Sequence, residues 1–410
     1  MLGQKVHQFK GLFVFISAAI LFGQAASGYA QNFDFAKSSG STVSSSLPKL
    51  DVVIPVFDPN IPTGESNDVW PEVRRAEANR FAYLAKQALD KTKAFGAVRV
   101  TPDDSMYGQL YVFGKILKAN GEDVQIQVTV NDIRGKHTAK KWLKNKKFSY
   151  RVPSSHFSSS RNKGTDAYTR VFDEFAQALV QKLSKKKQKD LKDLNAIAEM
   201  VFAANMAPDK FAQHLKLKKS RGGLKISLKS MPAENDPLYQ RVRSLRIVEQ
   251  QFVDRLQANY TSYFNDSSTD YYTWQALSHP LVKELRMEKE KLDAELAAII
   301  TKEVVCGFTG ICDQVRGQKE AVLARIAAAL QLHQRKVAEM KENFAGADML
   351  SDMGESLNMT MAPKNVLIEG VQVELQGDAV DHFLGHRDLL KDLYMQEITP
   401  NVQLTMTDAR

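Results

Sequence analysis

The amino-acid sequence predicts an α+β protein. It should have an amino-terminal α/β sandwich-like domain, a long helical middle region built on an α-hairpin, and a small carboxy-terminal β-hairpin-plus-helix module. Three observations carry this prediction. Residues 50–57 and 97–133 hold short β-rich or alternating runs broken by turn residues. Residues 238–263, 281–300 and 314–344 are long stretches of helical periodicity. Residues 366–369 and 371–375 return to short apolar strands, before Gly377 and an amphipathic pattern over 381–394.

The elements follow in order. Lys5, His7 and Lys10 precede an apolar run over 11–23 and a small-residue exit ending in Gly28 and Ala30, the order of a secretory signal peptide. Residues 1–30 are predicted to be cleaved off before Gln31, which makes the protein periplasmic or otherwise exported, with membrane association left open. Residues 31–48, rich in Ser, Gly, Asn and Ala, form a flexible leader. In the α/β domain, 49–185, a strand at 50–57 stops at Asp58-Pro59, and Trp70-Pro71 opens a helix over 72–95. In this helix Val73, Ala76, Phe81, Leu84, Ala88 and Leu89 share a face. A second strand at 97–100 is followed by a hairpin, 109–119 with 123–133, joined through the tight-turn pair Asn120-Gly121. A third arm, 140–152, and a helix over 165–183 complete the domain. Residues 186–235 are predicted to be a basic linker with short helices, 236–350 the helical region with its antiparallel hairpin, 351–398 the small module and 399–410 a tail.

Composition narrows the function classes. With 43% hydrophobic residues the chain can build ordinary cores, and a formal charge of +9, lowered by two when Lys5 and Lys10 leave with the leader, is modest for 410 residues. That charge is spread along the chain as a solvated surface would be, so no nucleic-acid partner is expected. Catalytic patterns were sought and not found. There is no Gly-x-Ser-x-Gly elbow, Ser46-Leu-Pro-Lys49 lies in a linker, and Lys163-Gly164-Thr165 lacks the first glycine of a phosphate loop. His382 and His386 share a helical face near Asp378 and Asp381, but the motif lacks the glutamate of a zinc protease. No catalytic residue, metal or cofactor is assigned, and the protein is not expected to be an enzyme.

Two clusters suit contact with a partner. Lys140, Lys141, Lys144, Lys146 and Lys147 surround Trp142 on the third arm, where they could meet an anionic membrane or glycan; lysines also keep an edge strand from aggregating. Tyr260, Phe264, Tyr272 and Trp274 concentrate amphipathic rings that stack on sugars, fill a partner's pocket or pack between helices. The sole cysteines, Cys306 and Cys312, flank a Gly-containing reversal and are predicted to form a disulfide in an oxidising compartment.

The run Ile54-Pro-Val-Phe57, the long helix after it, and Phe95-Gly-Ala-Val-Arg-Val100 before a meander resemble the α/β domains of envelope assembly proteins, such as the TolB amino-terminal domain and curli-secretion lipoproteins. Trp70-Pro-Glu-Val-Arg-Arg-Ala-Glu77, Tyr272-Thr-Trp274 and Met353-Gly-Glu-Ser-Leu357 resemble a group of gammaproteobacterial envelope proteins without an assigned activity. Val373-Glu-Leu-Gln-Gly-Asp378 is faintly similar to half of a BON module. Many proteins of that group are lipoproteins; this chain departs in having no cysteine directly after its apolar segment. The resemblance implies a non-catalytic assembly protein with an envelope protein partner. The alternative is a binding protein for an anionic envelope polymer or lipid.

Overall fold

A strand buried on both faces must be apolar along its whole length, and Val52, Val53 and Ile54 meet that demand in an interior strand of the sheet. This strand, β1 (Val52–Pro55), lies parallel to β2 (Val98–Thr101) on one side and to β3 (Leu110–Ala119) on the other. β3 continues into an antiparallel meander with β4 (Asp123–Asp132) and β5 (Leu143–Arg151), giving the order β2-β1-β3-β4-β5. The predicted Asn120-Gly121 turn is present. Gly121 has φ +91°, where only glycine is comfortable, and the Asn120 side chain accepts hydrogen bonds from the amides of Glu122 and Asp123. The computed structural model describes residues 48–63, 69–135, 141–159, 165–220, 223–306, 311–360, 365–368, 371–375 and 377–398.

Between β1 and β2 runs α1 (Pro71–Thr92), which opens on proline, where the missing amide costs nothing, and closes on Lys93 in the left-handed region. After a single turn, α2 (Ser155–Ser158), comes α3 (Thr169–Leu183), with Val171, Phe172, Phe175, Leu179 and Leu183 buried. The two long helices pack on each other and on the sheet face that carries Phe148. Phe81 meets Phe172 at 5.2 Å and Tyr168 at 5.9 Å between ring centroids, and Phe148 meets Phe175 at 5.9 Å. The first domain thus has the element order expected of it.

The basic linker is corrected. Residues 188–206 form a continuous helix, α4 (Gln188–Met206), that buries Leu191, Leu194, Ile197, Met200, Phe202 and Met206. The sequence signals short helices over 194–202 and 208–215; the lysines at 185–192 mask the first apolar positions, and the full length emerges when Leu191 is counted with Leu194, Ile197 and Ala198. A short turn, α5 (Pro208–Phe211), leads to a two-stranded ribbon, β6 (Leu215–Ser220) and β7 (Gly223–Leu228). Then follow α6 (Pro237–Asp266), capped by the Asp236 carboxylate, which accepts from two amides, and the pair α7 (Ser268–Cys306) and α8 (Cys312–Asn343). A helix absent from the prediction, α9 (Gly346–Thr360), packs on α1, α6 and α7. Gly346 and Gly354 weaken its signal, because glycine is the poorest helix former after proline. The hairpin β8 (Asn365–Ile368) with β9 (Val371–Glu374) and the helix α10 (Ala379–Ile398) complete the α+β fold.

The expected domain boundaries do not divide the core. One cluster of buried side chains extends from Leu50 to Tyr394, and the described residues belong to one compact unit. α6 ties the parts together at the sheet edge. The Gln257 side chain donates to the Val100 carbonyl and accepts from the Val100 amide, occupying the place of a neighbouring strand. Arg99 bridges Asp51 and Asp254.

Candidate functional site

The proximal half of α7 is fastened to the α/β domain. Gly121 sits so close that an added Cβ would lie 2.7 Å from the Ser278 Cβ. The His279 ring shares a hydrogen bond with the Val152 carbonyl at 3.0 Å, and Lys283 donates to Ser154. Arg286 forks onto the buried Glu122 carboxylate and also holds Glu290. Its pKa lies above the ordinary arginine value because of these hydrogen bonds, those to Glu122 first. Farther out, Leu292, Ile299, Val315 and Val322 form a second small core between α7 and α8. Glu284–Lys336, Glu295–Arg325 and Glu303–Lys319 pair along it at 2.7 Å each, which fixes the two helices as an antiparallel hairpin. Each exposed pair contributes little by itself, but together they set the register.

A groove of about 1140 Å³ runs between α2 and this hairpin. It is lined by Phe157, Ala276, Pro280, Ala328 and Ala329, with Met287 and Leu332 55% and 53% exposed. Lys283, Lys291, Arg325, Glu284 and Glu288 line it as well. Pro280 lies inside α7 and has no amide to offer the Ala276 carbonyl one turn earlier. The groove therefore combines apolar side chains with groups of both charge signs. A second cavity of about 610 Å³ lies between the β3–β4 turn and α7, lined by Trp70, Trp274, Leu285 and Met340 together with Arg74 and Arg286.

Most of the sequence-predicted aromatic residues lie elsewhere than on a contact surface. Tyr260 and Trp274 are buried, with Trp274 stacked on Tyr271 at 5.4 Å, while Phe264 and Tyr272 are half-buried. Trp142 is buried too. Its Nε1 donates to Asp132 and Lys186 covers its ring. Tyr260, Trp274 and Trp142 fill gaps between the packed elements, and Trp274 also lines the second cavity. Lys144, Lys146 and Lys147 are exposed on β5 and Lys141 is half-buried; Lys140 lies outside the described residues.

His382 and His386 are buried, and His386 stacks on Phe252 at 4.3 Å. Burial, then the nearby Arg387 and Arg255, lower the His386 pKa to about 4. Among the described residues no group of three or more His, Cys, Asp or Glu side chains is placed to hold a metal.

One perturbed carboxyl invites a catalytic reading. Glu77 on α1 is buried; burial raises its pKa to about 7, against the lowering influence of Arg74 and of the Tyr271 hydroxyl. Arg74 lies 3.0 Å away and Tyr271 donates to the carboxylate at 2.8 Å, so both of its partners belong to the packed interior. The consequence is for stability. A folded-state pKa above the ordinary 4.5 contributes stability that is complete below that value and lost as the pH rises through about 7. Stability should therefore fall between mildly acid and mildly alkaline pH by an amount on the order of 3 kcal/mol. Glu77→Gln should flatten that slope in urea titrations across the range. A slope unchanged by the substitution would contradict the assignment.

Cys306 closes α7 and Cys312 opens α8. Cys312 packs half-buried against the second core, and no free thiol is found among the described residues, which do not include the Cys306 side chain. The predicted disulfide should contribute about 2 kcal/mol by closing a short loop. Thiol titration of the denatured protein, purified without reductant, should find no free thiol; two per chain would overturn the pairing.

Compared with family models, curated proteins and solved structures, the chain matches none. Among the described residues no helix is long and apolar enough to cross a membrane. The groove and its hairpin therefore carry the functional reading by themselves.

Proposed function

We propose that this is an exported cell-envelope protein that docks on protein partners and works by assembly, not by catalysis. The observation that carries the reading is the groove along the hairpin. Met287 and Leu332 are exposed in one concave surface whose walls are fixed to the sheet by Arg286 and Glu122. Exposed apolar side chains beside groups of both charge signs suit a protein contact, and the helix of a partner laid in such a groove would bury both side chains. Export is the sequence reading of residues 1–30, and it supplies the envelope setting.

The anionic-surface alternative retains the exposed lysines of β5 but loses Trp142, which is buried. Affinity recovery from envelope fractions separates the two readings. A Met287→Glu/Leu332→Glu variant should lose at least about tenfold of the protein partner, since charge at the centre of an interface costs more than about 1.4 kcal/mol, while its thermal melt stays unchanged. Recovery that ignores this variant and collapses after digestion of envelope glycans would favour the alternative.

A further inference from the structure

Between Asp209 and Glu234 the chain carries six lysines and one arginine and no carboxylate. Most of this segment is the β6–β7 ribbon, in which Leu215 faces Leu228, Leu217 faces Ile226, Lys216 faces Ser227 and Lys218 faces Lys225. Alternation along the strands puts Leu215, Leu217, Ile226 and Leu228 on one face and Lys216, Lys218 and Lys225 on the other. The apolar face is only partly covered. Leu215, Ile226 and Leu228 pack against the main core, whereas Leu217, on a strand with no second neighbour, is 61% exposed. Just past the ribbon, Met231 is also exposed.

The lysine face is strained electrostatically. Like charges directly opposite on paired strands repel, and Lys218 and Lys225 are both exposed, as is Lys216; Lys219, exposed too, lies on the face of Leu217. A two-stranded ribbon has little stability of its own with which to tolerate this. An anionic surface would relieve the repulsion. A soluble polyanion would do so as well, but it offers nothing to Leu217 and Met231. A bilayer bearing acidic headgroups meets both: phosphates for the lysines and, beneath them, an apolar layer for the exposed side chains.

We propose that the β6–β7 ribbon is a peripheral contact element for anionic phospholipid bilayers, approached along the edge of β6 that has no strand neighbour, where side chains of both faces reach the surface: Lys216, Lys218, Lys219 and Lys225 meet headgroup phosphates and Leu217 enters the interface. The site is separate from the hairpin groove, so its failure would leave the docking reading untouched.

The test is flotation of the full chain with vesicles of phosphatidylcholine alone, or of phosphatidylcholine mixed with phosphatidylglycerol, alongside retention on immobilised heparin. The wild type should float only with the mixed vesicles. Replacing the four lysines by glutamine should weaken this at least about tenfold, because one lysine near such a surface is worth about fivefold. Leu217→Ser should weaken vesicle binding severalfold and leave heparin retention as it was, with circular-dichroism melts unchanged for both variants. Vesicle binding by the lysine variant equal to wild type would overturn the proposal. So would an unaltered Leu217→Ser beside lysine-dependent heparin retention, which marks a polyanion site, or loss only when Lys144, Lys146 and Lys147 on β5 are replaced.

Discussion

Replacing Arg80 by alanine should destabilise the protein by about 3 to 5 kcal/mol, the usual cost of removing one partner from a buried charge pair. Arg80 is 1% exposed on α1 and holds three parts of the chain at once. It donates to the Phe264 carbonyl at 2.9 Å and to the Ser267 hydroxyl at 2.8 Å, where the end of α6 leaves carbonyls without helical partners. It also donates to the buried Asp166 carboxylate before α3 at 3.1 Å, and its guanidinium lies 4.3 Å and 4.4 Å from the ring centroids of Phe264 and Tyr271. Alanine would strand Asp166 and open the α6–α7 junction together. Arg80→Lys should recover only part of the loss, since an ammonium cannot reproduce the fork. Urea unfolding followed by circular dichroism checks both variants; an Arg80→Ala loss below about 1 kcal/mol, the range of an exposed pair, would contradict the buried role.

The second large effect is expected at the carboxy-terminal helix. Arg387 on α10 donates to Glu249 on α6 at 2.8 Å and to the Ser105 carbonyl at 2.9 Å, with its guanidinium over Tyr107 and Phe383. Glu249 is 1% exposed, and burial raises its pKa although Arg387 pulls it down. Arg387→Ala should therefore cost about 3 to 5 kcal/mol and expose α10 to proteolysis before the rest of the fold. Adding Glu249→Leu should return much of the stability, because the penalty lies in the unpaired buried charge and not in the loss of attraction. Denaturant titrations of the two variants decide this, and a double variant as unstable as the single one would refute it.

These two arginines show where the sequence stops being informative. β1, the meander and its Asn120-Gly121 turn, α1, α3 and the three long helices were legible because their signals are local: alternation, a 3.6-residue period, a glycine needing positive φ. Only the part of α4 over 194–202 was legible, as a short helix, because a lysine run obscures its start; α9 was obscured by two glycines. The hydrogen-bond partners of Arg80 and Arg387 lie more than 80 residues away in the chain, so neither arginine differs from a surface residue until the helices are packed. The same holds for the groove. Met287 and Leu332 each fit an ordinary helical pattern, and only the antiparallel pairing of α7 with α8 brings them to one surface. The aromatic cluster left contact and packing open for the converse reason. Rings near a helix end look available in one dimension, and the fold turns Tyr260 and Trp274 inward.

The central claim, that the hairpin groove is a docking surface, is tested most directly by site-specific photocrosslinking in intact cells. A benzophenone amino acid at Leu332, inside the groove, should yield one discrete protein adduct that disappears when Met287→Glu is added. The same probe at Ile247, an exposed apolar residue on α6 outside the groove, should yield none. No adduct from Leu332, or the same adducts from both positions, would contradict the account.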